Sequence, residues 1–599
     1  MSASRPWLVL SLAFFCLPLF VGLARTDLGH DEAIYSFGVD RILETGDWLT
    51  PKSGPDEHAV FLEQPPLKFW IVAAPIRLGL LPRDELGLRF WDALFGALAF
   101  VYVFAIGSRL AGPVCGAVAL LILFVHWPLI FDHGLRSNNM EASLVLCYCG
   151  GIFHYLRWAA WADDRRSRLH AVTAGLYFVL GFMTKFVAAI FLPLVLAVAS
   201  LLFRAPRAKL AREWRLWTFV GVLVLALVAP WFVYANVRFG MLFWHTILAE
   251  AVYTRFTTYL NPAHVQPWSF YFTEMYHRFA DSGSEPLVAI GMALLVVQTV
   301  RRRWLEGAVV VLWFALPLLL ISFGTSKLYH YTYPFLPPLA LAAGYLVALT
   351  LMLAPVPVAR GLQALGDYAA ARAPFVLPVF RRSAVRATLL AVAAAAAGAA
   401  ALSQVYGPLR LAVGRTVFFK TSGVIRPSIV VALFGTLAGA GRRVSPAVVA
   451  LLMLGALPLH AYREALSRLT VERHPMRTAT ECLDRVQSRM PGAARGLYVD
   501  LPDSVITHPL YYYFRRIRPW TRARSAEPAA IGRQLDDPSE WRPMLVWDST
   551  YQDFMNARAS AVSPRPPSPP MVVFPDVVLL LPGPYAACAA VAPDTAKAR

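Results

Sequence analysis

Charge is scarce in this sequence, and acidic charge scarcer still: 16% of its 599 residues are charged, 37 Asp and Glu against 56 Lys and Arg. With 57% hydrophobic residues and a mean hydropathy of +0.51, such a chain is neither disordered nor an ordinary soluble domain. Its composition is that of a polytopic membrane protein. Cysteine is also sparse. Cys16, Cys115, Cys147 and Cys149 lie in apolar runs, where a thiol acts as a small hydrophobe, and neither Cys147 nor Cys149 has a histidine or carboxylate at metal-ligand spacing. Cys482 and Cys588 stand in the polar tail, where a disulfide is expected if the tail is extracytoplasmic. No basic run is interleaved with aromatics on a soluble module, so the +19 net charge does not imply a nucleic-acid partner. No internal repeat is visible. No small-x-small cleavage site precedes Asp27, and residues 7–23 read as a retained signal anchor.

What the chain has is apolar runs. They begin near Trp7, Arg89, Pro113, Met140, Ala171, Val187, Leu216, Pro286, Leu305, Tyr331, Ala387, Ile425 and Ala447, about thirteen stretches able to cross roughly 30 Å of hydrocarbon. Two of them, near Tyr177 and Phe191, read as helices broken at Thr184-Lys185. With the N-terminus inside, Arg109, Arg157, Arg165, Arg166 and Arg168, the cations of 204–215, Arg301 to Arg303, Arg360 to Arg386, and Arg442 with Arg443 all fall on the cytoplasmic side, as the positive-inside rule requires. The opposite face then holds Asp31-Glu32, Glu63, Arg136, Glu141, Lys185, Lys327 and His330. Carboxylates at the mouth of a lipid-embedded bundle are costly and therefore candidates for function.

The expected fold is an all-α polytopic membrane bundle over residues 1–463, followed by a small extracytoplasmic α/β domain over 464–599. Two long extracytoplasmic loops, 25–88 and 237–285, carry juxtamembrane helices. Residues 67–72 read as an amphipathic stretch in the interface. The second loop is rich in Trp, Tyr and Phe, as at headgroup depth, and 355–385 skims the cytoplasmic surface. In the tail, a helix near 476–490 and strands near 496–499, 544–547 and 572–581 are expected, with 564–570 as a proline-rich connector. Tyr511 to Phe514 read as packing residues.

Six short motifs occur in order. Gly29-His30-Asp31-Glu32-Ala33-Ile34-Tyr35 resembles the Asp-Glu-Ala-x-Tyr signature of the GT-C glycosyltransferases in the protein O-mannosyltransferase and lipid A aminoarabinose transferase group. Glu63-Gln64-Pro65-Pro66-Leu67-Lys68-Phe69-Trp70 resembles that group's Glu-Lys-Pro-Pro-Leu-x-x-Trp, and Arg136-Ser137-Asn138-Asn139-Met140-Glu141 its Arg-Ser-Gly-Met-Met-Asp. Thr184-Lys185 matches the end of its Leu-Leu-Thr-Lys-Gly helix. His264-x-x-Pro267-Trp268-x-x-Tyr271 matches a His-x-x-Pro-Trp-x-x-Tyr pattern. The run from Ser326 to Pro334 resembles Ser-Lys-Leu-Pro-x-Tyr-x-Leu-Pro.

The resemblance implies a lipid cavity beneath extracytoplasmic loop helices and a polyprenyl-phosphate-linked sugar as donor. Asp31 would be the principal catalytic carboxylate, with Glu32 beside it and Glu141 assisting in the place of the family's aspartate. A phosphate leaving group gains charge as the glycosidic bond breaks, and positioned cations stabilise that charge most in the transition state. Lys68, Arg136, Lys185, Lys327, His330 and Tyr331 are the candidates for that work. Gln64 removes one family lysine, which Lys68 could replace. Glu63 and His264 match positions able to hold a divalent metal (Zn, Mg or Mn), although two protein ligands leave such a site incomplete. The expected function is inverting transfer of one sugar to an extracytoplasmic lipid, glycan or protein acceptor, lipid A among them, at a bacterial inner membrane. A transporter or flippase of lipid-linked sugars is the alternative. It would call for midplane charges or an inverted repeat, and neither is seen.

Overall fold

The apolar runs fold as helices. The computed structural model describes residues 4–54, 60–160, 165–259, 261–372, 383–406, 409–413, 416–421, 425–438, 446–455, 457–490, 495–501, 508–517, 519–522, 531–532, 535, 541–561 and 569–589. Arg442, Arg443 and residues 373–382 and 564–568, all used in the sequence reading, lie outside them. Six described helices are long and apolar enough to span a membrane: Glu85–Ala111, Arg165–Ala189, Trp214–Phe239, Leu305–Ser322, Tyr329–Leu353 and Ser383–Ser403. A seventh is added if Phe191–Leu202 and Arg204–Arg212, bent by 108°, form one span. Other expected spans coincide with shorter apolar helices such as Arg5–Phe20 and Pro113–Val125.

Helix Glu141–Ala160 lies at the centre, packed against Glu85–Ala111 and Arg165–Ala189. Small residues allow that closeness, as between helices in lipid. A Cβ on Gly150 would stand 2.6 Å from the Tyr177 ring, and one on Gly151 2.7 Å from Leu192. The expected break in the Arg165–Ala189 helix is present: Lys185 has φ −141° and ψ 70°, far from helical values. The Thr184 hydroxyl stays inside, bonded to the Leu180 carbonyl (2.8 Å) and within 3.0 Å of Ser143 Oγ. The break thus leaves the lysine free to turn away from its own helix axis.

The first long loop contains helices His30–Thr45 and Leu67–Arg77. In the second of these, which includes the stretch 67–72 read as amphipathic, one face is covered by protein. Lys68, Phe69, Val72, Ala73 and Ile76 are buried, and Phe69 fits over Gly38, where a Cβ would meet its ring at 2.6 Å. Its face is covered by protein because the neighbouring helix and the tail both pack there.

The tail is an α/β unit. Its sheet runs, in spatial order, Trp520–Arg522, Leu497–Asp500, Met544–Trp547, Val577–Leu580 and Met571–Phe574. The first three are parallel and the last two antiparallel to their neighbours. The single strand expected near 572–581 is therefore a hairpin, turned at Asp576 with φ 59°. A second hairpin, Leu409–Val413 with Thr416–Thr421, had no counterpart in the sequence reading. Helix Pro475–Gln487 ties the tail to the first loop. Asp27 accepts from the N–H groups of Met476 (2.7 Å) and Arg477 (3.2 Å) at its first turn. Arg477 pairs with Glu85 at 3.0 Å, and Tyr513 donates to the same carboxylate at 2.7 Å. Tyr512, Tyr513 and Phe514 are buried, as packing residues should be.

Cys482 and Cys588 form the expected disulfide, closing a loop of 106 residues. Replacing both by serine should destabilise the tail by about 2–5 kcal/mol, read as a lower thermal midpoint for the tail's unfolding; an unchanged midpoint would contradict a stabilising role.

Candidate active site

Arg89 and Glu32 set the site's floor. The guanidinium donates to both carboxylate oxygens at 2.7 Å each, and to the carbonyls of Leu23 (2.7 Å), Thr26 (2.9 Å) and Asp27 (2.8 Å). Glu32 also accepts from Gly29 N (2.7 Å) and Asn138 N (2.8 Å). Burial alone would push the Glu32 carboxyl up, but Arg89 and these hydrogen bonds outweigh it and hold it below the usual carboxylate range. Every side of Glu32 is occupied, so the expectation of a catalytic role for it is corrected: it is a buried anchor. Its neighbour Asp31 projects the other way, about one-third exposed, with Oδ2 3.3 Å from His133 Nε2.

From Asp31 a continuous polar line runs into the bundle. His133 stacks on His330 with ring centroids 4.8 Å apart and planes 12° apart. His330 Nε2 lies 3.8 Å from Glu141 Oε1, and the same oxygen pairs with the Lys185 ammonium. Lys185 sits over the Tyr331 ring, 5.5 Å from its centroid. The Tyr331 hydroxyl accepts from Arg255 at 2.9 Å, and Arg255 pairs with Glu63 at 3.1 Å. Burial works against the Arg255 charge, but Tyr331 and Glu63 more than offset it and raise its pKa. The Tyr35 hydroxyl is pushed well up by burial and then by the charges of Asp31, Glu141 and Glu63, which thus converge around one phenol.

This line borders a cavity of about 430 Å³. Glu63, Glu141, Lys185, Arg255, His330 and Tyr331 form its polar end; Leu144, Phe186, Phe191, Phe256, Leu320 and Phe335 are among its apolar walls. Phe256 and Leu320 are 48% and 39% exposed, so the wall opens to the outside of the bundle.

Three expected phosphate ligands are engaged elsewhere. Lys68 is 1% exposed and pairs with Asp92 while donating to the Asn139 carbonyl at 3.0 Å. Arg136 donates to the carbonyls of Leu19 (2.9 Å) and Val21. Lys327 donates to those of Gln266 (2.9 Å) and Gly324, and burial pushes its ammonium down. These cations hold loops together, and none of the three is among the residues lining the cavity. The metal expectation finds no fit either. Arg255 takes the Glu63 carboxylate, and His264 is placed by its carbonyl, which accepts the Lys327 N–H at 2.8 Å. Among the described residues no group of three or more His, Cys, Asp and Glu could hold a metal ion.

Arg255 and His133 were not singled out from the sequence. Arg255 had one available signal, since it is an arginine on the face that the positive-inside rule leaves poor in cations. His133 had none beyond its place three residues before Arg136.

A family model for dolichyl-phosphate-mannose-protein mannosyltransferases matches residues 63–234. The crystal structure of ArnT from Cupriavidus metallidurans bound to undecaprenyl phosphate superposes with a TM-score of 0.56, at 20% identity, over 97% of this chain and 99% of that one. The chain has the GT-C fold. An oligosaccharyltransferase, AglB from Archaeoglobus fulgidus in complex with an inhibitory peptide and a dolichol-phosphate, shares it at a TM-score of 0.52 and 13% identity, covering 91% of this chain and 69% of that one. In sequence the chain is 27% identical over 359 residues to undecaprenyl phosphate-alpha-4-amino-4-deoxy-L-arabinose arabinosyl transferase 1 of Pseudomonas fluorescens (strain Pf0-1), over 57% of either chain. It is 27% identical over 445 residues to the transferase of that name from Pseudomonas paraeruginosa, over 68% of this chain and 73% of that one. The chain thus spans little more than half the length of the first of these relatives. The GT-C resemblance read from the six motifs is borne out.

Within the GT-C fold, Glu32 and Asp31 should respond oppositely to substitution. Glu32→Ala strands a buried arginine and should cost about 3–5 kcal/mol. Asp31→Asn, on a partly exposed group, should change stability by less than about 0.5 kcal/mol. Thermal unfolding in detergent distinguishes them, and equal losses would contradict the separation of roles.

Proposed function

We propose that this chain is an inverting glycosyltransferase that moves one sugar from a polyprenyl-phosphate donor to an extracytoplasmic lipid, glycan or protein acceptor, lipid A among the candidates. One observation carries the reading. An apolar cavity open to the outside of the bundle ends at two cations, Lys185 and Arg255, next to a carboxylate line that leads to Asp31. An isoprenoid tail suits the apolar wall, and a phosphate suits the cationic end. As the bond from sugar to phosphate oxygen breaks, charge accumulates on that oxygen. Lys185 and Arg255, each already oriented by a carboxylate and by Tyr331, would meet it without reorganisation. Asp31 stands on the acceptor side, at the outer end of the same line. The names of the aminoarabinose transferase relatives support a polyprenyl-phosphate donor, and direct displacement suits a site whose two cavity carboxylates, Glu63 and Glu141, are taken up by Arg255 and Lys185.

The finer topology belongs to this proposal. About thirteen crossings, with a cytoplasmic N-terminus and the tail and active site on the outer face of a bacterial inner membrane, reconcile the short and bent helices with the one-sided basic loops. Lys185→Met and Arg255→Met should each lower kcat by about 10²–10³, with the protein still inserted. Mass spectrometry of envelope lipids and glycans, with and without the chain, reads the product. Full turnover in either variant would contradict the role given to these cations.

A further inference from the structure

Beside the Glu32–Arg89 anchor one buried cation lacks a carboxylate. Arg89 has Glu32, Lys68 has Asp92, Lys185 has Glu141 and Arg255 has Glu63. Arg136, 9% exposed, pairs with no carboxylate among the described residues. Its Nε and Nη2 donate to the carbonyls of Leu19 and Val21, and its guanidinium lies over the Phe131 ring, 5.3 Å from the centroid. Nη1 meets no acceptor among the described residues. Burial, and then the neighbouring Arg89, push the group down to about 10, and Glu32 offsets this only in part. A buried cation without a counter-charge is costly to keep.

Arg136 faces a second cavity, of about 250 Å³, which shares no lining residue with the donor cavity. Leu23, Phe131, Leu469 and Val471 are among its apolar walls, and Arg468 lines it too. The pair that Arg468 makes with Glu464, at 2.8 Å, is exposed on both sides and therefore holds it weakly. Two carboxylates also line the cavity, and both are engaged. Glu32 is enclosed by Arg89, and Asp27 accepts from the N–H groups of Met476 and Arg477. With Arg89, Arg136 and Arg468 set against Asp27 and Glu32, the lining has a surplus of positive charge.

The place of this cavity indicates what neutralises it. The carbonyls that hold Arg136 lie at the end of the apolar helix Arg5–Phe20. There Leu17 and Val21 are 64% and 44% exposed, and Val471 at the cavity is 51% exposed. An apolar span ends at headgroup depth, and basic recesses between spans at that depth receive anionic headgroups.

We propose that this cavity binds the phosphodiester headgroup of an anionic membrane phospholipid, with Arg136 and Arg468 as its cations. The site is separate from the proposed reaction, because Asp31 does not line it. The phosphate takes Nη1 of Arg136 and the Arg468 guanidinium, and the acyl chains lie outside against Leu17 and Val21. The bound lipid ties residues 22–29, 131–137 and 468–471 together around the Glu32–Arg89 pair. Nothing in this depends on the glycosyltransferase reading.

The test uses the full chain in a neutral maltoside detergent with dihexanoyl phosphatidylglycerol as probe. Dihexanoyl glycerol, which lacks the phosphate, and inorganic phosphate, which lacks the lipid, are the comparisons. Phosphatidylglycerol is expected to raise the thermal unfolding midpoint saturably, and native mass spectrometry to show one retained molecule. Arg136→Gln should weaken this binding by about tenfold or more. Val471→Trp, at an exposed position, keeps every charge and fills the mouth; it should weaken binding comparably, and it carries the test if Arg136→Gln does not fold. Arg255→Met, in the donor cavity, should retain the lipid. No binding of phosphatidylglycerol, or equal binding of dihexanoyl glycerol, overturns the proposal. Equal binding of inorganic phosphate overturns the lipid as source of the anion. Unaltered affinity in Val471→Trp or in a folded Arg136→Gln, or loss of the lipid in Arg255→Met, overturns the site.

Discussion

A carboxylate and a guanidinium far apart in sequence, Glu32 and Arg89, meet with both at most 7% exposed in their side chains. Removing either charge would leave the other buried without compensation, so the pair constrains every segment that touches it. Arg89 draws in the turn at residues 23–27, and Glu32 fastens the start of helix His30–Thr45 and the loop at Asn138. Asp31 is adjacent to this anchor, and the loop from His133 to Asn139 ends on it. Asp31, the carboxylate proposed to react, thus takes its position from a buried neighbour.

The remaining charges follow the same division of labour. Lys68, Arg136 and Lys327 are spent on a carboxylate or on backbone carbonyls that would otherwise be buried without a donor. Lys185 and Arg255 are oriented by Glu141 and Glu63, yet both border the cavity. A site for a polyprenyl phosphate needs few cations, provided they face a lipid-accessible hollow. The tail adds a further constraint: Asp27, Glu85 and Asp40 each hold a tail residue, Met476, Arg477 and Arg515. The first loop is clamped between bundle and tail.

Much of this was legible in the sequence. The membrane class came from composition, the break at Lys185 from a polar Thr-Lys step inside an apolar run, and the GT-C resemblance from six ordered motifs. Asp31, Glu63, Glu141, Lys185, His330 and Tyr331 were named from those motifs and do come together around one cavity and the line leading from it. What sequence could not supply was pairing at a distance. Arg89 lies 57 positions from Glu32, and nothing in the spacing shows that Glu32 points inward while Asp31 points outward. Lys68 looked available because Asp92, its partner, sits inside an apolar helix. His133 belongs to no motif, and only the fold reveals its place between Asp31 and His330.

The central claim is that donor phosphate and lipid tail share the cavity ending at Lys185 and Arg255. An experimental structure of the protein with a bound polyprenyl phosphate tests this most directly. The account predicts density for the phosphate within hydrogen-bonding distance of Lys185 and Arg255, with the isoprenoid chain running past Phe256 and Leu320. A phosphate seated elsewhere, or a tail bound on another face of the bundle, would contradict it.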